Sequence, residues 1–260
     1  IVADLTDEVL EAEVEVQDQM NDLKAYLHDP EEKGCECLYR GRNAQCTMFA
    51  YSNPDVPEYS VHDINRIGGS KKLFHDWIDR GIYAIEDIDK PEKLTGAKLA
   101  QYNAYMAGKP LVDHEAIKEA FSGLVFPLYF FDYEGYSSAI PRFSGFGAYE
   151  QVPFQYSLHI LHEDGEMEHK EFLITEPTKD LTLPLIEQMR KDIGDTGSAI
   201  SWYKSYESQR NNKLAELHPE HVEFLEGMND RMFDLMTIFS KNMYVDAKFM
   251  GSASIKQVLP

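Results

Sequence analysis

The sequence predicts an α/β protein in which a mixed sheet follows a mainly helical N-terminal region. The run LVFPLYFFDYE at residues 124–134 is apolar and aromatic, which is typical of a buried strand. Two alternating segments, FQYSLHIL and MEHKEFLI, follow on either side of the turn sequence EDG and indicate an antiparallel meander. A helical segment and the apolar strand SAISWY come next, which predicts a parallel crossover joining the same sheet.

The remaining elements divide the chain into two regions. We expect residues 1–120 to be mainly helical, with a helix over 4–27 ending near Pro30 and an irregular loop at 35–60. Residues 121–260 form the sheet domain. Its predicted helices are 181–192, 206–217 and 222–239, the last with a break near Gly227.

Composition limits the classes of function. The chain has 260 residues with 45 acidic and 25 basic side chains, a formal net charge of −20. Such a surface repels polyanions on average, so only a local basic groove is compatible with nucleic-acid binding. The sequence contains neither a run of about 18 apolar residues nor a signal peptide, and we therefore expect no membrane association. Because the chain begins at Ile1 and ends at Pro260, we interpret it as a fragment of a longer protein.

Two acids close the first strand. Side chains alternate along a strand, so Asp132 and Glu134 share one face, about 7 Å apart along the backbone. Two carboxylates at the end of a buried strand are unfavourable unless a positive group lies between them. A hard cation such as Mg²⁺ or Mn²⁺ is one such group. The alternative is a strand end that reaches solvent, with both acids hydrated.

The irregular loop contains three cysteines, Cys35, Cys37 and Cys46, in the spacing C-x-C-x8-C. Thiolates this close together can hold zinc or an iron–sulfur cluster, although a closed site needs a fourth ligand. That ligand would lie upstream of the chain or be His62 or His75. The alternative is three thiols in a tight loop. An odd number of cysteines argues against a disulfide framework and predicts a reducing, cytoplasmic setting.

The order of elements, with D-x-E on the first strand, resembles the RNase H-like fold of the DEDD 3′–5′ exonuclease superfamily. The segment SWYKSYESQRNNKL is similar to that superfamily's second motif. Glu207 stands there at the place of an Asp, 75 residues after Asp132. MFDLMTIF, with Asp234, looks like the segment that usually follows. More closely, the chain resembles an uncharacterised bacterial family in which an exonuclease-like domain follows a cysteine-containing region and, often, an upstream nuclease domain.

The resemblance implies a metal-dependent nuclease acting on DNA or RNA ends. Two Mg²⁺ or Mn²⁺ ions roughly 4 Å apart would be held by Asp132, Glu134 and Glu207, which are the implied catalytic residues. The implied nucleic-acid contacts are Lys204, Arg210 and Lys256 to phosphate and Tyr136, with Tyr133 and Phe143, to a terminal base.

Two features depart from the superfamily's pattern. Glu207 is one methylene longer than the usual Asp, and the last motif, a His or Tyr followed four residues later by Asp, would lie beyond Pro260. Tyr244 and Asp246 have the wrong spacing to replace it. An alternative function is therefore an interaction module that keeps the exonuclease fold with a weak or incomplete site. A third is a structural domain organised by a metal cluster at the cysteines.

Several residues near these motifs also have simpler interpretations. Tyr133 alternates away from the two acids, which favours a place in the core. Lys204 and Arg210 suit a solvated helix start. Asp234 suits the face of a helix. The three histidines of the meander are expected at the surface: His159, His162 and His169.

Overall fold

The computed structural model describes residues 3–29, 36–175 and 180–259. Its α-helices are α1 (Thr6–His28), α2 (Phe49–Ser52), α3 (Lys71–Asp79), α4 (Ala97–Ala107), α5 (His114–Phe121), α6 (Thr182–Asp192), α7 (Lys204–Leu217), α8 (Val222–Asp230), α9 (Thr237–Ser240) and α10 (Ile255–Val258). Its strands are β1 (Leu111–Val112), β2 (Leu128–Tyr136), β3 (Val152–Leu161), β4 (Met167–Leu173), β5 (Ser198–Ser201), β6 (Met232–Asp234) and β7 (Tyr244–Val245). Short 3₁₀ turns connect several of these elements, most of them between residues 36 and 93.

The main sheet is mixed, with the strand order β4-β3-β2-β5-β6. The pairs β2–β3 and β3–β4 are antiparallel, whereas β5 lies parallel to β2 and β6 lies parallel to β5. This arrangement confirms the prediction of an antiparallel meander followed by a parallel crossover. The central strand of the sheet is β2, the strand that ends in the two acids.

Side chains alternate along β2 as predicted. Tyr129, Phe131 and Tyr133 are buried, while Asp132 and Glu134 lie on the opposite, exposed face. The buried face packs against helices α6, α7 and α8, because each of these presents an apolar stripe to the sheet. The core formed there contains Tyr129, Phe131, Tyr133, Tyr156, Leu158, Ile160, Leu185, Ile186, Met189, Ile193, Leu214, Leu225 and Met228.

The prediction of a helix over residues 222–239 is wrong. Helix α8 ends at Asp230, and residues 232–234 form the edge strand β6. Gly227 lies inside α8, so the predicted break is absent there. The three strand residues pair with β5, in the register Ala199 with Met232 and Ser201 with Asp234. This neighbour supplies ladder hydrogen bonds that the local apolar spacing does not reveal.

The N-terminal region has a core of its own, built by Val61, Ile64, Ile67, Phe74, Trp77, Ile78, Ile85, Ile88 and Leu94. Ser60 and Asp63 form a capping box at the 3₁₀ turn that opens it, and the Arg42 guanidinium pairs with Asp63. Helix α1 has the predicted extent, but none of its residues is buried.

The end of the chain returns to this N-terminal region. Strand β7 pairs antiparallel with β1, and the Asn65 side chain donates a hydrogen bond to the carbonyl of Gly251. The two regions therefore share a boundary formed from both ends of the sequence. Across the described residues, we find no helix that is both long and apolar enough to span a bilayer.

Candidate active site

Four carboxylates come together at one edge of the main sheet. Strands β2, β5 and β6 run parallel, so their carboxyl ends meet at the same edge. Asp132 and Glu134 lie near that end of β2, and Asp234 is the last residue of β6. Glu207 lies in the first turns of α7, the helix that follows β5. We call Asp132, Glu134, Glu207 and Asp234 the acid cluster.

Contacts between β2 and α7 hold Glu207 beside the D-x-E strand. The hydroxyl of Tyr133 donates a hydrogen bond to Asn211 Oδ1 over 2.8 Å, one helical turn beyond Glu207. The Tyr206 hydroxyl lies so close to Gly135 that a Cβ added there would be 3.0 Å from it. Gly135, which follows Glu134, and Tyr206, which precedes Glu207, are therefore in contact. The packing therefore places the two acidic segments side by side, and their sharing of one site stays a prediction.

Glu207 has the largest pKa shift in the acid cluster. It is only 2% exposed, and its Oε2 atom is buried with no hydrogen-bond partner among the described residues. Burial raises its pKa to about 7, with the charges of Asp132 and Asp234 adding to the shift and Arg210 opposing it. Burying a carboxylate with one unpartnered oxygen costs free energy, so packing alone does not explain why Glu207 is buried.

Asp132 and Asp234 also have raised pKa values. Burial raises the pKa of Asp132, and the charge of Glu134 raises it further. Burial also raises the pKa of Asp234, although backbone hydrogen bonds and Lys204 oppose the shift. In the described parts of the chain, no Lys, Arg or His forms an ion pair with Asp132, Glu134 or Glu207. Three neighbouring acids without an ion pair from the described residues are typical of a functional site.

Tyr203 connects β5 to α7 in a strained conformation. Its φ of 88° and ψ of 65° lie in the left-handed region, which is rare for a bulky residue. The Tyr203 amide donates to Asp234 Oδ1 over 3.1 Å, and the Met236 amide donates to the same oxygen over 3.0 Å. Asp234 therefore holds the turn that leads into α7, the helix that carries Glu207. Strain of this kind persists where the surrounding structure requires it, often at functional sites.

The three predicted phosphate contacts, Lys204, Arg210 and Lys256, lie in different surroundings. The Lys204 ammonium lies 2.9 Å from the carbonyl of Met232, to which it donates. The Arg210 guanidinium stacks on the Tyr206 ring at 3.7 Å, and its Nε is buried without a partner among the described residues. Lys256 is exposed on α10. Arg210 therefore lies nearest to Glu207, whereas Lys204 is engaged by the edge strand.

The aromatic and histidine predictions have mixed outcomes. Tyr133 is a core residue, as its alternation predicted, and is not exposed for base stacking. Tyr136 ends β2 with an exposed ring, while Phe143 is half-buried. His159 and His169 are exposed and stack on each other across β3 and β4, as expected of surface residues. His162 is half-buried and lies 2.8 Å from Glu168.

One of the three predicted metal-binding cysteines, Cys35, lies outside the described residues. Cys37 lies in a 3₁₀ turn and Cys46 in the turn before α2. His62, one candidate for a fourth ligand, is engaged through both ring nitrogens. These lie 2.9 Å from the Leu38 carbonyl and 3.1 Å from Ser60 Oγ. His62 is therefore placed as a buried structural residue of the N-terminal core.

Metal ligation by protein side chains alone has no ready site in the part of the chain that the structure describes. No three His, Cys, Asp or Glu side chains there are grouped closely enough to hold an ion. Carboxylate oxygens remain the ligands that Mg²⁺ and Mn²⁺ prefer, and the unpartnered Glu207 oxygen is of this kind. Protein carboxylates there could therefore supply only part of a cation's ligand shell.

Sequence reasoning missed the place of Asp234, which we interpreted as the face of a helix. It also missed two buried polar atoms without partners among the described residues, Gln151 Oε1 and Ser201 Oγ. Ser201 ends β5 directly beside Asp234 in the sheet register, and Gln151 lies over Gly135. The only signal for Asp234 was the resemblance of MFDLMTIF to a motif segment. No local pattern pointed to the other two.

The link between Tyr133 and Asn211 gives a direct test of how α7 is positioned. Replacing Tyr133 by Phe removes a buried hydroxyl and leaves Asn211 Oδ1 without its donor. We expect the free energy of unfolding to fall by about 1–2 kcal/mol, measured by urea denaturation. Tyr51→Phe is the matched control, because the Tyr51 ring is exposed and no change is expected. Equal stability of both variants would show that the hydroxyl does not hold α7.

The fold and site together define a mixed α/β domain with an acidic edge site. Residues 129–254 match a family described as a domain of unknown function (DUF2779). All four members of the acid cluster, and the strained Tyr203, lie within the matched segment. Neither the curated proteins nor the solved structures gave a match to the chain.

Proposed function

We propose that this protein is a divalent-metal-dependent nuclease that hydrolyses phosphodiester bonds at DNA or RNA ends. The observation that carries the proposal is the acid cluster. Four carboxylates from β2, α7 and β6 converge without an ion pair from the described residues to three of them, and the buried Glu207 keeps an unpartnered oxygen. A structural role does not require such an arrangement, which costs stability.

The topology supports an RNase H-like assignment of the domain. An antiparallel meander precedes two parallel strands, and the D-x-E strand lies at the centre of the sheet. The second acidic motif follows β5 at the start of a helix, as the resemblance to the DEDD exonucleases implies. Asp234 adds a fourth carboxylate from β6 beside it. In this proposal Asp234 positions Tyr203 and α7 and adds negative charge to the site.

Asp132, Glu134 and Glu207 would hold the cations in this proposal. Mg²⁺ or Mn²⁺ bound there would stabilise charge on the scissile phosphate and lower the pKa of an attacking water. Mg²⁺ sites in phosphate-processing enzymes often use only one or two carboxylates, with substrate oxygens and waters completing the shell. Because no three of the described acids are grouped closely enough to bind one ion together, each ion would take only one or two of these carboxylates.

The chain's own residues divide the remaining tasks. Arg210 lies close enough to Glu207 to lower its pKa, and its guanidinium stacks on the Tyr206 ring, which holds the positive charge beside the acid cluster. The exposed ring of Tyr136 follows Glu134 by two residues and offers a face to a terminal base. The core behind β2 is buried and mainly hydrophobic, so charges at the edge interact more strongly than in bulk water.

An interaction module without catalytic activity is the second candidate. The observation in its favour is the lack of a metal-holding group of three side chains in the described residues. In this alternative the same fold binds a partner, and the raised pKa of Glu207 is only a consequence of burial.

Cleavage of labelled oligonucleotides separates the two candidates. The purified chain is incubated with single-stranded and duplex DNA and RNA carrying a 5′ label, in Mg²⁺, Mn²⁺ or EDTA. The nuclease proposal predicts products shortened stepwise from the 3′ end with either metal and intact substrate in EDTA. Substrate that stays intact under all conditions, while still being bound, would favour the interaction module.

A further inference from the structure

The largest cavity we describe lies apart from the acid cluster, at the boundary between the two regions of the chain. It has a volume of about 880 Å³, within the range of small-molecule sites. One side is formed by the N-terminal region, including Asn43, Arg66 and the Gly68–Gly69 turn. The other side is formed by Trp202 and Tyr203, the residues that follow β5. The cavity therefore borders the N-terminal end of α7.

The wall on the sheet side is aromatic. Trp202 stacks on Phe239 with a centroid distance of 5.1 Å, and Phe239 contacts the rings of Tyr244 and Phe249. The indole N–H of Trp202 donates to the carbonyl of Ala253, so this ring is held in place. The Tyr203 ring also lines the cavity and is 50% exposed.

Charges around the cavity balance, although the chain carries a net charge of −20. The charged residues of its lining are Arg42, Arg66, Asp63 and Asp246, two of each sign. Arg42 and Asp63 pair with each other, and Asp246 caps the turn at Lys248. Arg66 is exposed, forms no ion pair with a described residue, and has a left-handed backbone with φ of 48°. The cavity thus combines ring faces with one exposed arginine, Arg66, that forms no ion pair with a described residue.

We infer that this cavity binds nucleotides of a single strand whose end lies at the acid cluster, with Tyr203 as a stacking platform and Arg66 as a phosphate contact. Ring faces suit unstacked bases of any sequence, which a duplex keeps covered. The strained Tyr203 backbone is fixed by Asp234, a member of the acid cluster, so one residue connects both places. The inference rests on the proposed nuclease function and assigns the N-terminal region a part in substrate binding.

Fluorescence anisotropy in EDTA tests the inference without cleavage. The probe is a fluorescein-labelled, phosphorothioate-linked oligothymidylate of about six nucleotides, within the usual length of single-strand sites. Replacing Tyr203 by Ala should raise the Kd about tenfold, and Tyr203→Phe should bind like wild type. Tyr203→Leu keeps the apolar volume without the ring and should also bind weakly, which guards against a folding defect in the Ala variant. Thermal melting accompanies each variant.

Two matched controls complete the experiment. Tyr149→Ala removes another exposed tyrosine with positive φ, outside the cavity lining, and should leave the Kd unchanged. Arg66→Gln should weaken binding and reduce the slope of log Kd against log salt by about 0.7, one phosphate contact. Arg142→Gln, at an exposed arginine outside the cavity lining, should change neither. Wild-type affinity in both Tyr203→Ala and Tyr203→Leu would overturn the inference, as would failure of the wild-type chain to bind the probe.

Failure of this inference differs from failure of the proposed function. If the chain cleaves oligonucleotides while the Tyr203 variants keep full affinity, the cavity assignment is wrong and the nuclease assignment stands. If affinity is lost in those variants of a chain that never cleaves, the cavity binds the strand and the nuclease assignment is wrong.

Discussion

Replacing Asp132 by Asn should lower the rate of oligonucleotide cleavage by at least about a hundredfold while leaving the fold intact. The charge of Asp132 interacts with that of Glu134 on its own strand and that of Glu207 on α7. Asn keeps the volume of the side chain but lacks the charge that would attract a cation. Because repulsion among the acids is relieved, the thermal midpoint of the variant should equal or exceed that of wild type. Rates are measured under single-turnover conditions in Mn²⁺.

Glu171→Gln is the matched control for this experiment. Glu171 lies on β4, and its register partner Ser157 is in turn paired with Asp132, so both carboxylates lie on the same sheet face. Glu171 is exposed and two strands away from the acid cluster. Its replacement should leave the rate within about twofold of wild type, since screened surface charges act weakly over this separation. Comparable rates for Asp132→Asn and wild type would remove Asp132 from the site.

Replacing Glu207 by Gln should stabilise the protein at alkaline pH and have much less effect at acidic pH. The pKa of Glu207 is raised from 4.5 to about 7, so the folded state binds more protons than the unfolded state between these values. Stability attributable to this group is therefore complete below about pH 4.5 and is lost as pH rises through 7. The Gln variant lacks this dependence. Urea denaturation at pH 5 and pH 8 measures the difference.

The raised pKa of Glu207 sets an upper limit on how much the Gln variant can be stabilised. At about 1.4 kcal/mol for each pKa unit, the change from 4.5 to about 7 corresponds to about 3.5 kcal/mol at most. The buried amide still needs hydrogen bonds, which reduces the gain. Glu223→Gln, on the exposed face of α8, should show no difference between the two pH values. A Glu207→Gln variant that is less stable than wild type at pH 8 would show that the carboxylate is held by a favourable partner.

Much of the sheet was predictable because its signals are local. Alternation in LVFPLYFFDYE placed Asp132 and Glu134 on one face and Tyr133 in the core, and the turn at Gly165 set the meander. A period of two is a property of the strand itself, so no partner is needed to read it. The start of α7 after β5 followed from the change of pattern between SAISWY and the next segment.

Strand β6 and the cavity depend on contacts between segments that are far apart in the sequence, which local patterns do not indicate. Strand β6 has only three residues, and its apolar pair Met232 and Phe233 fits a helical stripe as well as a strand. Pairing with β5 decides between them, and Asp234 reaches the site only through that pairing. The cavity behind Tyr203 likewise requires residues near 43 and 66 to meet residues near 240 and 250, which no spacing in the sequence indicates.

Cation binding tests the central claim most directly, since the account requires the acids of β2 and α7 to share a divalent ion. Mn²⁺ is titrated at pH 8 into wild type and Asp132→Asn with thymidine 5′-monophosphate present, and free Mn²⁺ is followed by electron paramagnetic resonance. We predict saturable loss of the free-ion signal with wild type and almost none with the variant. Equal loss with both proteins, or no loss with wild type, would contradict a metal site at Asp132, Glu134 and Glu207.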